Sequence, residues 1–167
     1  MNQTLANYNE SERARYMMVV AHMAGVDGDL ASEEIYALRE MCIRYVLGPE
    51  ARGEVMAATA LPADALEEVL GKLAGTDLKN SLLVDLFAMA YMDGVVKPEE
   101  AETLNKVAQA LAISDAQMGA IERLAKILAT PTPDPAALQQ ALASLQDAGI
   151  SSGSLAMSTT FARLGKV

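Results

Sequence analysis

The feature that most constrains this chain is an eight-residue pattern it carries twice, DGDLASEE from Asp27 and DGVVKPEE from Asp93. Each copy closes one apolar, helix-like stretch and opens another. The offset of 66 residues holds beyond the acids, pairing Met23 with Met89, Ala24 with Ala90, Gly28 with Gly94, Glu33 with Glu99, Glu34 with Glu100 and Leu38 with Leu104. Self-similarity of this length predicts a duplicated helix-turn-helix unit, because one supersecondary unit is being written twice.

Fold class follows from what fills the stretches between the turns. Hydrophobic residues make up 51% of the 167-residue chain but aromatics only 4%, and the apolar bulk is Ala, Leu and ten Met, a mixture that favours helices. The expectation is an all-α, single-domain bundle of about seven or eight helices. Ser11 is a candidate cap for a first helix with Ala14, Met17, Met18, Ala21 and Ala24 inward, stopping at Gly25. Ser32 offers the next cap, followed by the stripe Ile35, Leu38, Met41, Cys42 and Tyr45 up to Gly48-Pro49. Weaker signals cover Glu50 to Thr59, Pro62 marks another start, and the second copy runs from near Thr76, turns at Asp93-Gly94 and restarts at Pro98. Ser114 caps a further helix. The three prolines of TPTPDP, residues 130–135, then force an extended connection. The expected division is therefore a helical domain over 1–129 and a link plus C-terminal helical extension over 130–167, too small for its own core and packed on the body.

The acidic turns are the candidate site. Asp27, Glu34, Asp93 and Glu100, with Asp29, Glu33 and Glu99 nearby, supply the carboxylate oxygens that Ca²⁺, Mg²⁺ or Mn²⁺ require if the two turns pack together. The plainer reading is helix punctuation: Asp-Gly is a turn dipeptide, and Glu in a first turn interacts favourably with the helix dipole by about 0.3–1 kcal/mol. Both readings stand at this point. An EF-hand does not, since Ala31, Ser32 and Leu38 occupy places where its loop needs a ligand, a glycine and a bidentate glutamate, and Val95 fails the third place of the second copy.

The charge of −9 and pI near 4.5 remove the electrostatic drive for nucleic acid or anionic lipid and favour cations or a basic protein partner. No apolar stretch reaches membrane-spanning length, and the polar start and single cysteine point to the cytoplasm. One His and one Cys exclude a His- or Cys-rich zinc site, and no nucleophile-base pair, phosphate loop or cofactor fingerprint is present, so a non-catalytic protein is expected. His22 reads as a partly buried helical residue, Cys42 as a core thiol, and Asp85, a carboxylate on an apolar face, as a group that finds donors at a neighbouring helix start.

A helix, Asp-Gly, a short turn and Pro/Ser-Glu-Glu opening another helix, twice in one all-α domain, resembles the TerB-like tellurite-resistance fold and is similar to the N-terminal domain of the DjlA co-chaperone. The resemblance covers approximately residues 11–128. It implies a bacterial helical domain tied to tellurite or other chemical stress, with a divalent-cation role for Asp27, Glu34, Asp93 and Glu100. Val26 and Met92 depart from the small residue the family often has before the aspartate.

Overall fold

A computed structural model describes residues 3–91 and 94–162. Helix is the only regular structure among the described residues: α1 (Gln3–Ala6), α2 (Glu10–Gly25), α3 (Ser32–Arg44), α4 (Pro49–Ala57) continued by a 3₁₀ turn (Ala58–Ala60), α5 (Ala63–Leu73), α6 (Leu78–Tyr91), α7 (Pro98–Ala110), α8 (Asp115–Leu128), α9 (Pro135–Asp147), a 3₁₀ turn (Ser152–Leu155) and α10 (Thr159–Ala162). Eight of these, α2 to α9, run nine residues or more, as the sequence led us to expect. The chain divides into two compact units, Met1–Gly75 and Thr76–Val167.

In the first unit α2 is the central element, packed by α3, α4, the Ala58–Ala60 turn and α5. Its start is at Asn9 rather than Ser11: the Asn9 side chain accepts the Glu12 N–H at 2.9 Å while Glu12 accepts the Asn9 N–H at 2.8 Å, a reciprocal box that serves two orphan donors at once. Tyr16, Met17, Val19, Val20 and Ala21 are buried on three sides of it. Gly25 is the last residue of the helix, and what requires a glycine there is a close approach: a Cβ would meet the Thr59 carbonyl oxygen at 2.3 Å.

The end of α3 also differs from expectation. The helix stops at Arg44, short of Gly48-Pro49, because Val46 takes φ +56° and the Leu47 and Val46 amides turn back to the Cys42 and Ile43 carbonyls at 3.0 Å each. This is a Schellman closure with Val where glycine is usual, at a cost of about 1–2 kcal/mol. Arg13 helps hold it. Buried on α2, its guanidinium donates to the carbonyls of Tyr45 (2.8 Å), Val46 (3.4 Å) and Leu5 (3.5 Å) and, closely, Tyr8, placing a cation at the negative end of α3. One turn earlier Glu10 accepts the Gly48 N–H that starts α4, at 3.0 Å.

In the second unit α6 is buried on nearly every side from Ser81 to Ala90 and is covered by α7, α8, the Ser152–Leu155 turn and α10. α9, capped by Asp134 through the Ala137 N–H, packs on α8. The buried carboxylate on α6, Asp85, is 2% exposed and accepts hydrogen bonds from the Ser158 hydroxyl (2.6 Å) and the Thr160 N–H (3.2 Å) at the start of α10. The donors are those of a neighbouring helix start, as its position on the apolar face implied. Ser81 and Asn80, one turn earlier, bond the Ser154 carbonyl and hydroxyl at 2.8 and 3.1 Å. Among the described residues no helix is long and apolar enough to cross a membrane.

Candidate functional site

The two acidic turns are built alike. In the first unit the Gly28 N–H donates to the Gly25 carbonyl at 3.0 Å with φ +78°; in the second the Gly94 N–H donates to the Tyr91 carbonyl at 3.0 Å with φ +79°. Each turn therefore needs a residue that tolerates positive φ, which glycine supplies at no steric cost. Beyond the turn, Ala31 and Lys97 are extended residues ahead of α3 and α7, and their N–H groups donate to Glu34 Oε2 (3.0 Å) and Glu100 Oε2 (2.9 Å). Ser32, expected as the cap, is instead the first helical residue. The reciprocal side-chain half of a capping box is missing in both, since neither Ala31 nor Lys97 carries an acceptor.

Correspondence continues to the far end of each helix. Val46 and Ala112, 66 residues apart, are the two non-glycine residues of positive φ among those described, at +56° and +55°, and the closing bonds of α3 recur in α7 from Leu111, Ala112 and Ile113. The sequence pairing thus has a backbone counterpart at Gly28 and Gly94, at the starts of α3 and α7 and at their closing turns.

The expected ligands are placed as follows. Asp27 is half-buried and its Oδ1 accepts the Asp29 N–H at 3.1 Å, closing an Asx turn; Asp29, Glu33 and Glu34 are exposed. Glu99 is exposed and Glu100 half-buried on α7. Asp93 lies outside the described residues. Asp27, Asp29, Glu33 and Glu34 belong to the first unit, Asp93, Glu99 and Glu100 to the second. Among the described residues no three His, Cys, Asp or Glu side chains gather as a metal would need. Chemically, Glu34 and Glu100 each use one oxygen on their own helix start, and exposed carboxylates at helix N-termini present negative charge to solvent.

Three further groups carry polar chemistry. His22, half-buried on α2, has a buried Nδ1 with no hydrogen-bond partner among the described residues, and burial holds its pKa below the usual 6.5. Cys42 is 1% exposed, and burial raises its thiol pKa, opposed by the Arg52 charge. Both match the sequence expectation of a partly buried imidazole and a core thiol. A cluster that sequence reasoning missed stands immediately before the second turn: the Tyr91 hydroxyl donates to Glu122 on α8, and Lys126 lies 5.0 Å above the Tyr91 ring and 3.6 Å from Glu122. Burial, then the Glu122 bond, raises the Tyr91 pKa. Its sequence signal was the Glu122/Lys126 spacing of four on one helix face; the partner 31 positions away had none.

A protein-family model described as tellurite resistance protein TerB matches residues 13–123, spanning α2 through most of α8. No curated protein and no solved structure matches the chain.

Proposed function

The chain belongs to the TerB family, and from that premise we propose that it is a non-catalytic cytoplasmic interaction domain of bacterial tellurite or chemical-stress systems, docking a basic protein through its acidic turns. The observation that carries this reading is the exposure of Glu33 and Glu99 at the same place on two helix starts of matching backbone, in a chain of net charge −9. Carboxylates there face solvent and reinforce the negative field that steers a cationic surface. The test is affinity capture from the native host with the wild-type chain and with Glu33→Lys/Glu99→Lys. A set of basic proteins recovered only by wild type and lost at high salt is expected; equal recovery by both sinks the reading.

One observation favours a second reading, a divalent cation held by Asp27, Glu34, Asp93 and Glu100 with Asp29, Glu33 and Glu99 in support. Glu34 and Glu100 each commit one carboxylate oxygen to the same local bond, which leaves the other oxygen of each outside that bond. Ca²⁺, Mg²⁺ or Mn²⁺ would draw on such oxygens. Calorimetric titration with each ion, on wild type and on Asp27→Asn/Asp93→Asn, tests it. Heat and a melting shift abolished by the double variant support the ion; no heat in wild type removes it.

A further inference from the structure

We propose that the outward face of α3 is a self-association surface, on which Tyr36 and Ile43 of one copy of this chain pack against the same residues of a second copy in parallel register. The surface is centred on the middle of α3, beyond the acidic turn, and needs no other protein.

Tyr36 and Ile43 on α3 and Val46 in its closing turn are three of the four large hydrophobic residues left exposed among those described, so exposed apolar area is concentrated at one helix. Hydrophobics scattered singly over a surface are ordinary; a concentration of them marks a contact surface. Seven positions apart, Tyr36 and Ile43 stand two turns apart on one line of the helix, away from the buried Leu38 and Cys42. At the 66-residue offset α7 has Glu102, Asn105, Lys106 and Gln109 where α3 has Tyr36, Arg39, Glu40 and Ile43. α7 closes its charges within itself, Lys106 pairing with Glu102 at 2.9 Å. α3 does not: Arg39 has no acidic residue three or four positions away on its own helix, and among the described residues neither Arg39 nor Glu40 makes an ion pair.

Charge complementarity identifies the occupant. At about 100° per residue, Arg39 and Glu40 fall roughly 50° to either side of the line through Tyr36 and Ile43. One flank of the apolar line is therefore basic and the other acidic. A two-fold axis running along α3 sets Arg39 of each copy beside Glu40 of the other on both flanks, with Tyr36 against Tyr36 and Ile43 against Ile43. An antiparallel pair centred between Tyr36 and Ile43 sets Arg39 against Arg39 and Glu40 against Glu40 instead, which is repulsive. The face is thus complementary to itself in parallel. Stable interfaces bury about 1,200–2,000 Å², more than one face of a single 13-residue helix offers, so the dimer is weak and reversible.

Analytical ultracentrifugation of the purified full chain, from about 10 μM to about 1 mM, reads the association directly, alongside circular dichroism melts that establish folding. A reversible shift from the 17.7 kDa monomer towards twice that mass is expected. Tyr36→Glu/Ile43→Gln, which gives α3 the residues α7 carries at those places, should remain monomeric. Arg39→Glu and Glu40→Arg should each weaken association at least about tenfold, because each sets like charges side by side on both flanks. Mixing those two single variants, or combining them in one chain, should restore it. Rescue by mixing reports contact between copies, which a structural role within one chain does not produce. Should the Tyr36→Glu/Ile43→Gln variant fail to fold, the two charge variants and their mixture decide. A wild type monomeric throughout, a dimer untouched by Tyr36→Glu/Ile43→Gln, or charge variants that neither weaken association nor rescue each other overturns the proposal. No second protein is present, so capture of a basic partner through the acidic turns succeeds or fails separately.

Discussion

Glu34 and Glu100 provide the sharpest separation between helix punctuation and ion binding. Each accepts one backbone N–H ahead of its helix, at 3.0 and 2.9 Å, from Ala31 and Lys97. Glutamine retains an acceptor of the same reach but no charge; alanine removes both. A cap of this kind contributes about 0.5–1 kcal/mol at an exposed helix start, so Glu34→Ala/Glu100→Ala is expected to lose about 1–2 kcal/mol. For a cooperative unit of this chain length that corresponds to about 2–8 °C in Tm. Glu34→Gln/Glu100→Gln gives up only the dipole interaction and is expected to melt closer to wild type than to the alanine pair. Thermal melts in chelator, then with Mn²⁺, read both functions together. The capping argument fails if the alanine pair melts with wild type in chelator or if the glutamine pair falls as far as the alanine pair. A Mn²⁺ stabilisation of wild type that the glutamine pair lacks would show that the same carboxylates also serve an ion.

Arg13→Met removes a buried guanidinium from four carbonyls, and with charge-assisted bonds contributing about 1.5–3 kcal/mol each and far from additively, a loss of about 2–4 kcal/mol in urea unfolding is expected, with Arg13→Lys between it and wild type. A midpoint unchanged in Arg13→Met refutes that account. Gly25→Ala drives a methyl to 2.3 Å from the Thr59 carbonyl and must displace backbone; a loss above about 1 kcal/mol is expected, and a neutral or stabilising alanine would contradict the close approach. His22 is depressed in the folded state, so the unfolded chain binds its proton first and stability falls as pH drops below 6.5 towards the folded value. Melts of wild type and His22→Gln between pH 7.5 and 5.5 should diverge, the wild type losing more; parallel curves would refute the burial of the imidazole.

Legibility in the sequence followed the range of the interaction. Pro98, Ser114 and the Asp-Gly turns were readable because caps and positive-φ glycines are decided within three or four residues. The Asn9 cap was readable in principle, Asn9-x-x-Glu12 being a capping-box spacing, but Ser11 competes for the same role on composition alone. The end of α3 was not readable: nothing local demands left-handed Val46, and the groups that hold the Tyr45 and Val46 carbonyls sit on Arg13, more than 30 positions earlier. Gly25 likewise reads as a helix stop, whereas its constraint comes from Thr59. For the acidic residues the same boundary applies. The bonds of Asp27, Glu34 and Glu100 are local and visible in the pattern, while ion binding depends on distances between turns that no periodicity encodes.

Comparing two backbones of the same design separates what the turn requires from what each unit does with it. Positions identical at the 66-residue offset, Gly28 with Gly94 and Glu34 with Glu100, perform the same local task in both, so their identity is accounted for by turn and cap chemistry before any ligand is invoked. Positions that differ cannot be required by that shared geometry. Val19 is replaced by the tail-binding Asp85, Gly25 by the Glu122-bonded Tyr91, and Arg15 by Ser81 with a segment seated on it. On α3 the outward residues Tyr36 and Ile43 are 67% and 57% exposed, where α7 has Glu102 and Gln109 in the same helical places. Since α7 forms the same helix with polar residues there, helix formation does not call for the apolar ones. The divergent positions, rather than the repeated acids, are therefore where mutagenesis can change what this chain recognises while leaving its turns intact.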